Sequence, residues 1–225
     1  MIKKICILVL TLIVFLNFAV RRAVSGEAED VKLPQPQYDS KVSIEKTLLM
    51  RRSVRAYADK PLTLDEISQL LWAAQGITNP SGFRTAPSAG ALYPLEVYLL
   101  VGNVNNLPNG VYKYKPERHE LVKILRGDKR AELCAAALGQ TCVKKSAAVI
   151  VLAAVYERTT GKYGQRGTRY VHIEVGNASQ NIYLQAVSLN LGTVLIGAFD
   201  DGKVKKVLNM QNTEQPLSIM PVGKN

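Results

Sequence analysis

Between Thr85 and Leu100 the chain reads Thr-Ala-Pro-Ser-Ala-Gly-Ala-Leu-Tyr-Pro-Leu-Glu-Val-Tyr-Leu-Leu, and this stretch constrains the fold more than any other. Its first half, Pro87 to Pro94, combines two prolines, a glycine, a serine and two alanines. Such residues make the backbone turn tightly and let it approach a flat ligand with few side chains in the way. The second half, Leu95 to Val101, is apolar apart from Glu96 and predicts a buried strand. A small-residue turn feeding a core strand can floor a planar ligand. It can equally be an ordinary loop entering the core.

The rest of the chain can enclose such a strand. With 225 residues and 47% hydrophobic content, one domain with a sizeable core is expected. The net charge is +11. Residues 26–225 still carry 25 basic and 18 acidic side chains, an excess that suits an anionic ligand or an anionic surface. No Lys/Arg run interleaved with aromatics, no zinc-finger spacing and no helix-turn-helix pattern occurs, which argues against nucleic acid. The only two histidines, His119 and His172, share no ligand spacing, so neither a metal centre nor a Ser-His-Asp triad is expected. Cys134 and Cys142 read as buried free thiols, with a disulfide as the alternative in an oxidising compartment.

Residues 1–25 read as a targeting segment. Lys3 and Lys4 precede an apolar run from Ile5 to Val20, and Ala23-Val-Ser25 before Gly26 has the small residues of a cleavage site. Arg21 and Arg22 separate the run from that site, so either a cleaved signal peptide or a retained membrane anchor fits. Both place the body outside the cytoplasm. Residues 26–43, with Pro34 and Pro36, read as a linker or extended arm, and residues 44–225 as the folded domain.

Within the domain, Ser43 predicts the cap of a short helix ending near Met50. Arg51-Arg-Ser-Val-Arg55 follows: three arginines and a serine that could grip a phosphate, or a solvated basic patch at a helix end. Thr63 and Glu66 form a capping box for a helix ending at Gly76, with Leu64, Ile67, Leu70, Leu71 and Ala74 as its apolar stripe. Trp72 reads as core, and Arg84 as a further anion contact. Gly110–Lys115 and Glu120–Leu125 alternate as a hairpin, with an exposed His119 in the turn. Asp128 caps a helix through Arg130 to Leu138. Ala147–Val155 is a continuous apolar run, as expected of a central strand. Thr159–Arg169 reads as a polar, glycine-rich loop. Tyr170–Leu191 reads as a long helix with apolar residues on more than one face, ended by Gly192, and suggests a subunit interface as well as a core. Gly192–Asp200 reads as a strand or strand-turn and Gln215–Val222 as a strand, with a short helix over Lys203–Leu208 between them. The mixture, without regular βαβ alternation, predicts an α+β fold. No G-x-G-x-x-G opens a helix after a strand, so a dinucleotide fold is not supported.

Four blocks in this order resemble the nitroreductase-type flavoproteins, most of all their SagB-type branch of azoline dehydrogenases. They are Arg51-Arg-Ser-Val-Arg55; Pro87-Ser-Ala-Gly-Ala-Leu-Tyr-Pro94; Glu174-Val-Gly-Asn-Ala-Ser-Gln-Asn-Ile-Tyr-Leu184; and Ile196-Gly-Ala-Phe-Asp200 with Pro221-Val-Gly-Lys224. The resemblance covers about residues 45–224. It implies an antiparallel sheet flanked by helices, an intertwined homodimer and two FMN sites at its interface.

Residue by residue, the resemblance implies that Arg51, Arg52 and Ser53 hold the flavin phosphate and ribityl chain. Arg55 would lie at the N1/O2 ring edge, where a cation favours the reduced anion. Pro87, Ser88, Ala89 and Gly90 would approach the ring, often from the partner subunit. Leu195, Ile196 and Gly197 would offer a backbone N–H to N5, and Lys224 a charge near the phosphate. Lys162 and Tyr163 match a catalytic Lys-Tyr pair of azoline-oxidising members, able to act as acid and base; the alternative is that both decorate a mobile loop. Many relatives continue beyond Pro221-Val-Gly223 with a tail that wraps the other subunit, and most lack a leader. The implied activity is an FMN-dependent oxidoreductase acting through N5 on a nitroaromatic, quinone or azoline-type peptide heterocycle. A non-catalytic flavin carrier at the membrane surface is the competing class.

Overall fold

The computed structural model describes residues 30–225, and the leader expected over residues 1–25 lies outside them. Seven strands form one sheet: β1 (Val31–Lys32), β2 (Leu95–Val101), β3 (Gly110–Lys115), β4 (Glu120–Arg126), β5 (Ala148–Val155), β6 (Leu191–Thr193) and β7 (Glu214–Lys224). Their order is β1-β4-β3-β2-β5-β7-β6, and every neighbouring pair is antiparallel. The central strands alternate strictly. Leu95, Val97, Leu99, Ile150, Leu152 and Ala154 face one core; Tyr98, Leu100, Val149, Val151 and Ala153 face the other. A strand that is apolar on both faces must be covered on both, and the helices divide accordingly.

Helices α1 (Ile44–Met50), α2 (Leu64–Gln75) and α6 (Arg166–Ser188) pack together over the first face. Helices α3 (Arg130–Ala136), α4 (Thr141–Lys145) and α7 (Asp201–Leu208) cover the second. The α+β antiparallel architecture is the one expected. Ser43 caps α1 by accepting from Lys46 N, and the Thr63/Glu66 box is complete at the start of α2. Strands β2 and β3 have the expected bounds. Cys134 and Cys142 are buried free thiols.

Several expectations fail at element ends. Residues 159–169 are not a loop: α5 (Glu157–Tyr163) takes the first part of them, and α6 starts at Arg166. Thr and Gly weaken the local helix signal, but tertiary packing overrides it. Thr159 is buried, and a Cβ on Gly167 would lie 2.9 Å from the backbone of Thr159 and Thr160, so glycine there lets α5 and α6 touch. The long helix ends at Ser188, not Leu191. Asn190, with φ of 56°, turns the chain into β6, where the missing Cβ of Gly192 admits Val54 at 2.7 Å. The helix after Asp128 spans Arg130–Ala136, with Lys129 at the cap position; Asp128 still accepts from Arg130 N at 3.0 Å.

Two polar residues are also placed differently. His119 is not simply exposed: it is half-buried, with Tyr114 Oη 2.8 Å from Nδ1 and Ser68 Oγ 2.7 Å from Nε2. Burial lowers its pKa. Its contact with Pro34 O, together with the β1–β4 pairing and the Gln37–Gln69 hydrogen bonds, docks residues 31–37 onto the domain as an extended arm. Trp72 is half-buried against Tyr38 at the edge of the helical layer.

Candidate functional site

Helix α6 buries three polar side chains, Glu174, Ser179 and Tyr183, and the first and last of them each organise one half of the candidate site. An apolar stripe interrupted by a carboxylate and a phenol requires partners for both, since buried polar groups without them are costly.

Tyr183, 8% exposed, gathers three of the predicted residues. Its Oη accepts from Leu195 N at 2.7 Å and lies 3.0 Å from Ser53 Oγ. The Arg51 guanidinium stands 5.2 Å from the Tyr183 ring centre. Val54 N donates to Thr193 O at 2.9 Å, stitching the arginine-rich segment to β6. Beyond Leu195 the chain is open. Ile196 is buried and exchanges two backbone hydrogen bonds with Ile219. Gly197 is exposed, its N–H has no partner among the described residues, and a Cβ there would meet nothing within 4 Å. Of the predicted Leu195–Gly197 donors, only Gly197 is therefore free for a ligand.

The remaining basic candidates are dispersed. Arg52 folds back to donate to Leu49 O at 3.1 Å and Arg51 O at 2.8 Å, closing the end of α1 in the manner of a helix-end cation. Arg55 is exposed, and its charge acts on Tyr57 and Cys142. Lys224 forms an ion pair with Glu66, whose other oxygen caps α2. Arg84 is held by Gln75 at 2.9 Å and Glu117 at 3.2 Å, and stacks on Tyr93 at 4.5 Å.

The second half surrounds the Pro87–Pro94 turn. Glu174, 4% exposed, accepts from Ala89 N at 2.9 Å, and Ser88 Oγ accepts from Tyr93 N at 2.9 Å. Burial raises the Glu174 pKa, against the lowering effect of hydrogen bonds from the Ala89 backbone and the Ser88 side chain. Pro87 is exposed. Gly90 has φ of 63°, and above it stand both members of the predicted pair: a Cβ there would lie 2.7 Å from Tyr163 Oη and 3.0 Å from Lys162 Nζ. Only glycine leaves that space open. The turn and α5, distant in sequence, thus meet face to face.

Arg158 secures this meeting. From the first turn of α5 it donates to Tyr93 O at 3.1 Å and pairs with Glu96. Glu96 in turn lies 3.0 Å from Lys113 Nζ, inside the sheet. Arg158→Ala is expected to loosen α5 by about 1 kcal/mol, since the pair is partly solvent-exposed. Hydrogen exchange of α5 amides would then run roughly fivefold faster, while β2 and β5 keep their protection.

Glu174, Tyr183 and Arg158 were not among the predicted site residues. The first two carried a signal in the sequence, polar groups on an apolar helical stripe; Arg158 carried none. On α6 the two halves lie nine residues apart, or ~13 Å at about 1.5 Å per residue. One half pairs a cation and hydroxyls with an open N–H; the other pairs a bare glycine turn with an amine and a phenol.

Comparison with known proteins converges on one group. Residues 48–224 match the Nitroreductase family. A Methanocaldococcus jannaschii protein named as a nitroreductase is 49% identical over 88% of this chain and 98% of its own length. The microcin B17-processing protein McbC of Escherichia coli is 30% identical over 74% of this chain, which spans 64% of it. A crystal structure from Anabaena variabilis, also named as a nitroreductase, superposes with a TM-score of 0.77 at 32% identity, covering 88% of this chain and 42% of the larger protein. The family match runs through both halves of the site and strands β2 to β7, so the chain belongs to the nitroreductase family of oxidoreductases.

Proposed function

We propose that the protein is an FMN-dependent oxidoreductase that moves a hydride through flavin N5 to or from a small aromatic, quinone or heterocyclic substrate. The observation that supports this most is the exposed Gly197 N–H, four residues from β6, beside the Arg51–Ser53–Tyr183 set. A cation, hydroxyls and an unpaired backbone donor suit a ligand with an anionic end and a polar ring edge. Bound FMN would supply the two-electron carrier that no side chain here provides.

In this reading Arg51 and Ser53 bind the phosphate and ribityl chain, with Arg52 released from its carbonyl contacts to join them and Lys224 adding positive charge. Arg55 favours negative charge at the ring edge. Pro87 to Gly90 present a surface without side chains to the ring. Lys162 and Tyr163 hold or move the substrate proton above Gly90. The two halves are ~13 Å apart on one helix, and we propose that a second copy completes each site. The exposed Ile44, Leu48, Leu49 and Met50 of α1, and Ile173 of α6, are apolar surface that a homodimer would cover. The similarity to a microcin-processing protein brings a peptide heterocycle into the set of proposed substrates.

The test is an absorption spectrum of the purified protein, with heat release and identification of the chromophore. Flavin bands and released FMN are expected. Arg51→Ala with Ser53→Ala should weaken FMN binding by about tenfold or more, since each lost charge-assisted contact costs roughly 1.5–3 kcal/mol. A colourless protein that also fails to bind added FMN would refute the reading. Light scattering, with a dimer mass expected, tests the shared site.

A further inference from the structure

The Ser88–Tyr93 turn is held in a shape that it would not keep alone. Gly90, Ala91 and Tyr93 all have left-handed φ angles, of 63°, 53° and 45°. Glycine enters that region freely, but alanine and tyrosine enter it against a steric cost. Such a backbone persists only where its surroundings over-determine it. Inside the turn, Ala91 N donates to Ser88 O at 3.1 Å and Leu92 N makes a long bond to Ala89 O at 3.4 Å. Side chains supply the further restraint.

Arg158 on α5 and Arg84 grip the end of the turn. The first donates to Tyr93 O at 3.1 Å, and the second stands 4.5 Å from the Tyr93 ring centre. Glu174 on α6 grips its start. Its carboxylate accepts from Ala89 N at 2.9 Å and is also hydrogen-bonded by the Ser88 side chain. Ser88 Oγ in turn accepts from Tyr93 N at 2.9 Å. One buried carboxylate thus reaches both ends of the turn, directly at Ala89 and through Ser88 at Tyr93. Between those ends lies Gly90, where a Cβ would fall 2.7 Å from Tyr163 Oη and 3.0 Å from Lys162 Nζ. The seat of the reactive pair is therefore the very segment that Glu174 restrains.

We infer that Glu174 is a positioning residue for Lys162 and Tyr163: by holding Ser88 and Ala89 it fixes the strained turn beneath them. The inference rests on the oxidoreductase reading and adds a residue to it. At 4% exposure Glu174 offers a substrate almost no surface, so it acts through the turn. The turn asks of it an acceptor for Ala89 N and a partner for Ser88 Oγ. A carboxamide supplies both, because its oxygen accepts from Ala89 N and its amino group donates to Ser88 Oγ, which keeps a lone pair for Tyr93 N. Alanine supplies neither. Glutamine should therefore rescue what alanine loses.

The experiment compares the full chain with Glu174→Ala, Glu174→Gln and Ser88→Ala by two readouts. The first is amide hydrogen exchange, which needs no cofactor. The second is reoxidation of the FMN-loaded, dithionite-reduced protein by 4-nitrobenzamide without air, giving a saturating rate and a half-saturating concentration. In Glu174→Ala the Ala89 and Tyr93 amides should exchange about tenfold faster, with β2 and β5 unchanged. Its saturating rate should fall by about tenfold to a hundredfold, the usual loss for a small displacement of reacting groups, while FMN content and the half-saturating concentration stay parental. Glu174→Gln should match the parent in both readouts. Ser88→Ala cuts only the link to Tyr93, so it should speed exchange at Tyr93 and slow reoxidation less; it carries the test if the alanine variant at 174 does not fold. Parental exchange and rate in Glu174→Ala, a glutamine variant as impaired as alanine, or a loss confined to the half-saturating concentration would each overturn the inference. A parent that is not reoxidised, with the expected exchange pattern intact, would count against the oxidoreductase reading and leave the hold of Glu174 on the turn standing.

Discussion

Glu214→Ala is expected to destabilise the fold by about 3 kcal/mol, at the lower end for breaking a buried ion pair because Glu96 remains. For a chain of this size that is a fall in Tm of roughly 6–12 °C. Glu214 is 1% exposed and lies where β7 enters the sheet. It pairs with Lys113, accepts from Tyr98 Oη at 2.5 Å and accepts from Gln211 N at 2.9 Å. Lys113, itself 8% exposed, also lies 3.0 Å from Glu96. Alanine would leave one carboxylate for a buried ammonium and strand the Tyr98 hydroxyl. The same site predicts acid sensitivity. Burial alone would raise the Glu214 pKa, but hydrogen bonds from Lys113, Tyr98 and Gln211 hold it below its usual 4.5. A carboxyl with a lowered folded-state pKa stabilises the protein above the unfolded value and loses that contribution as pH falls through the folded one. Unfolding free energy should therefore drop on acidification below about 4.5, and Glu214→Gln should flatten that slope. Urea titrations at several pH values check both, and an alanine variant as stable as the parent would refute the network's role.

Lys162→Ala combined with Tyr163→Phe is expected to lower kcat by roughly 10²- to 10⁴-fold, the usual span for lost acid-base assistance. FMN content should stay unchanged, because neither residue belongs to the Tyr183 half of the site. Gly90→Ala offers an independent probe that leaves both side chains in place. Its Cβ would fall 2.7 Å from Tyr163 Oη and 3.0 Å from Lys162 Nζ, and the φ of 63° adds backbone strain of about 1–2 kcal/mol. The pair would have to move, and turnover should fall without loss of charge or hydroxyl. A double variant with parental kcat would remove the Lys-Tyr role, whereas a variant that loses FMN would relocate these residues to cofactor binding.

Much of the architecture was legible along the chain. The alternation of β3 and β4, the continuous apolar β5 and the complete Thr63/Glu66 box are local patterns, and local patterns report local structure. The order of the four blocks was enough for the family. The α5 helix was not legible, because Thr159, Thr160 and Gly161 favour helix weakly and the close approach of Gly167 that accommodates it is a tertiary contact. Likewise no periodicity marks Arg158 as the residue that ties α5 to Tyr93 and Glu96.

The sequence by itself determined which residue types were available to a site: the arginine-rich segment, the bare turn at Gly90 and the Lys-Tyr pair. Tertiary structure alone decided which of them meet. It brought Ser53 and Leu195 to the Tyr183 hydroxyl, set Lys162 and Tyr163 over Gly90, and engaged Arg52 and Lys224 with carbonyls and Glu66. The physical reason is that a side chain's partners are set by burial and through-space distance. Residues 53 and 183, or 90 and 163, are joined by the antiparallel sheet and the long helix laid across it, and nothing in their own neighbourhoods of sequence encodes that approach.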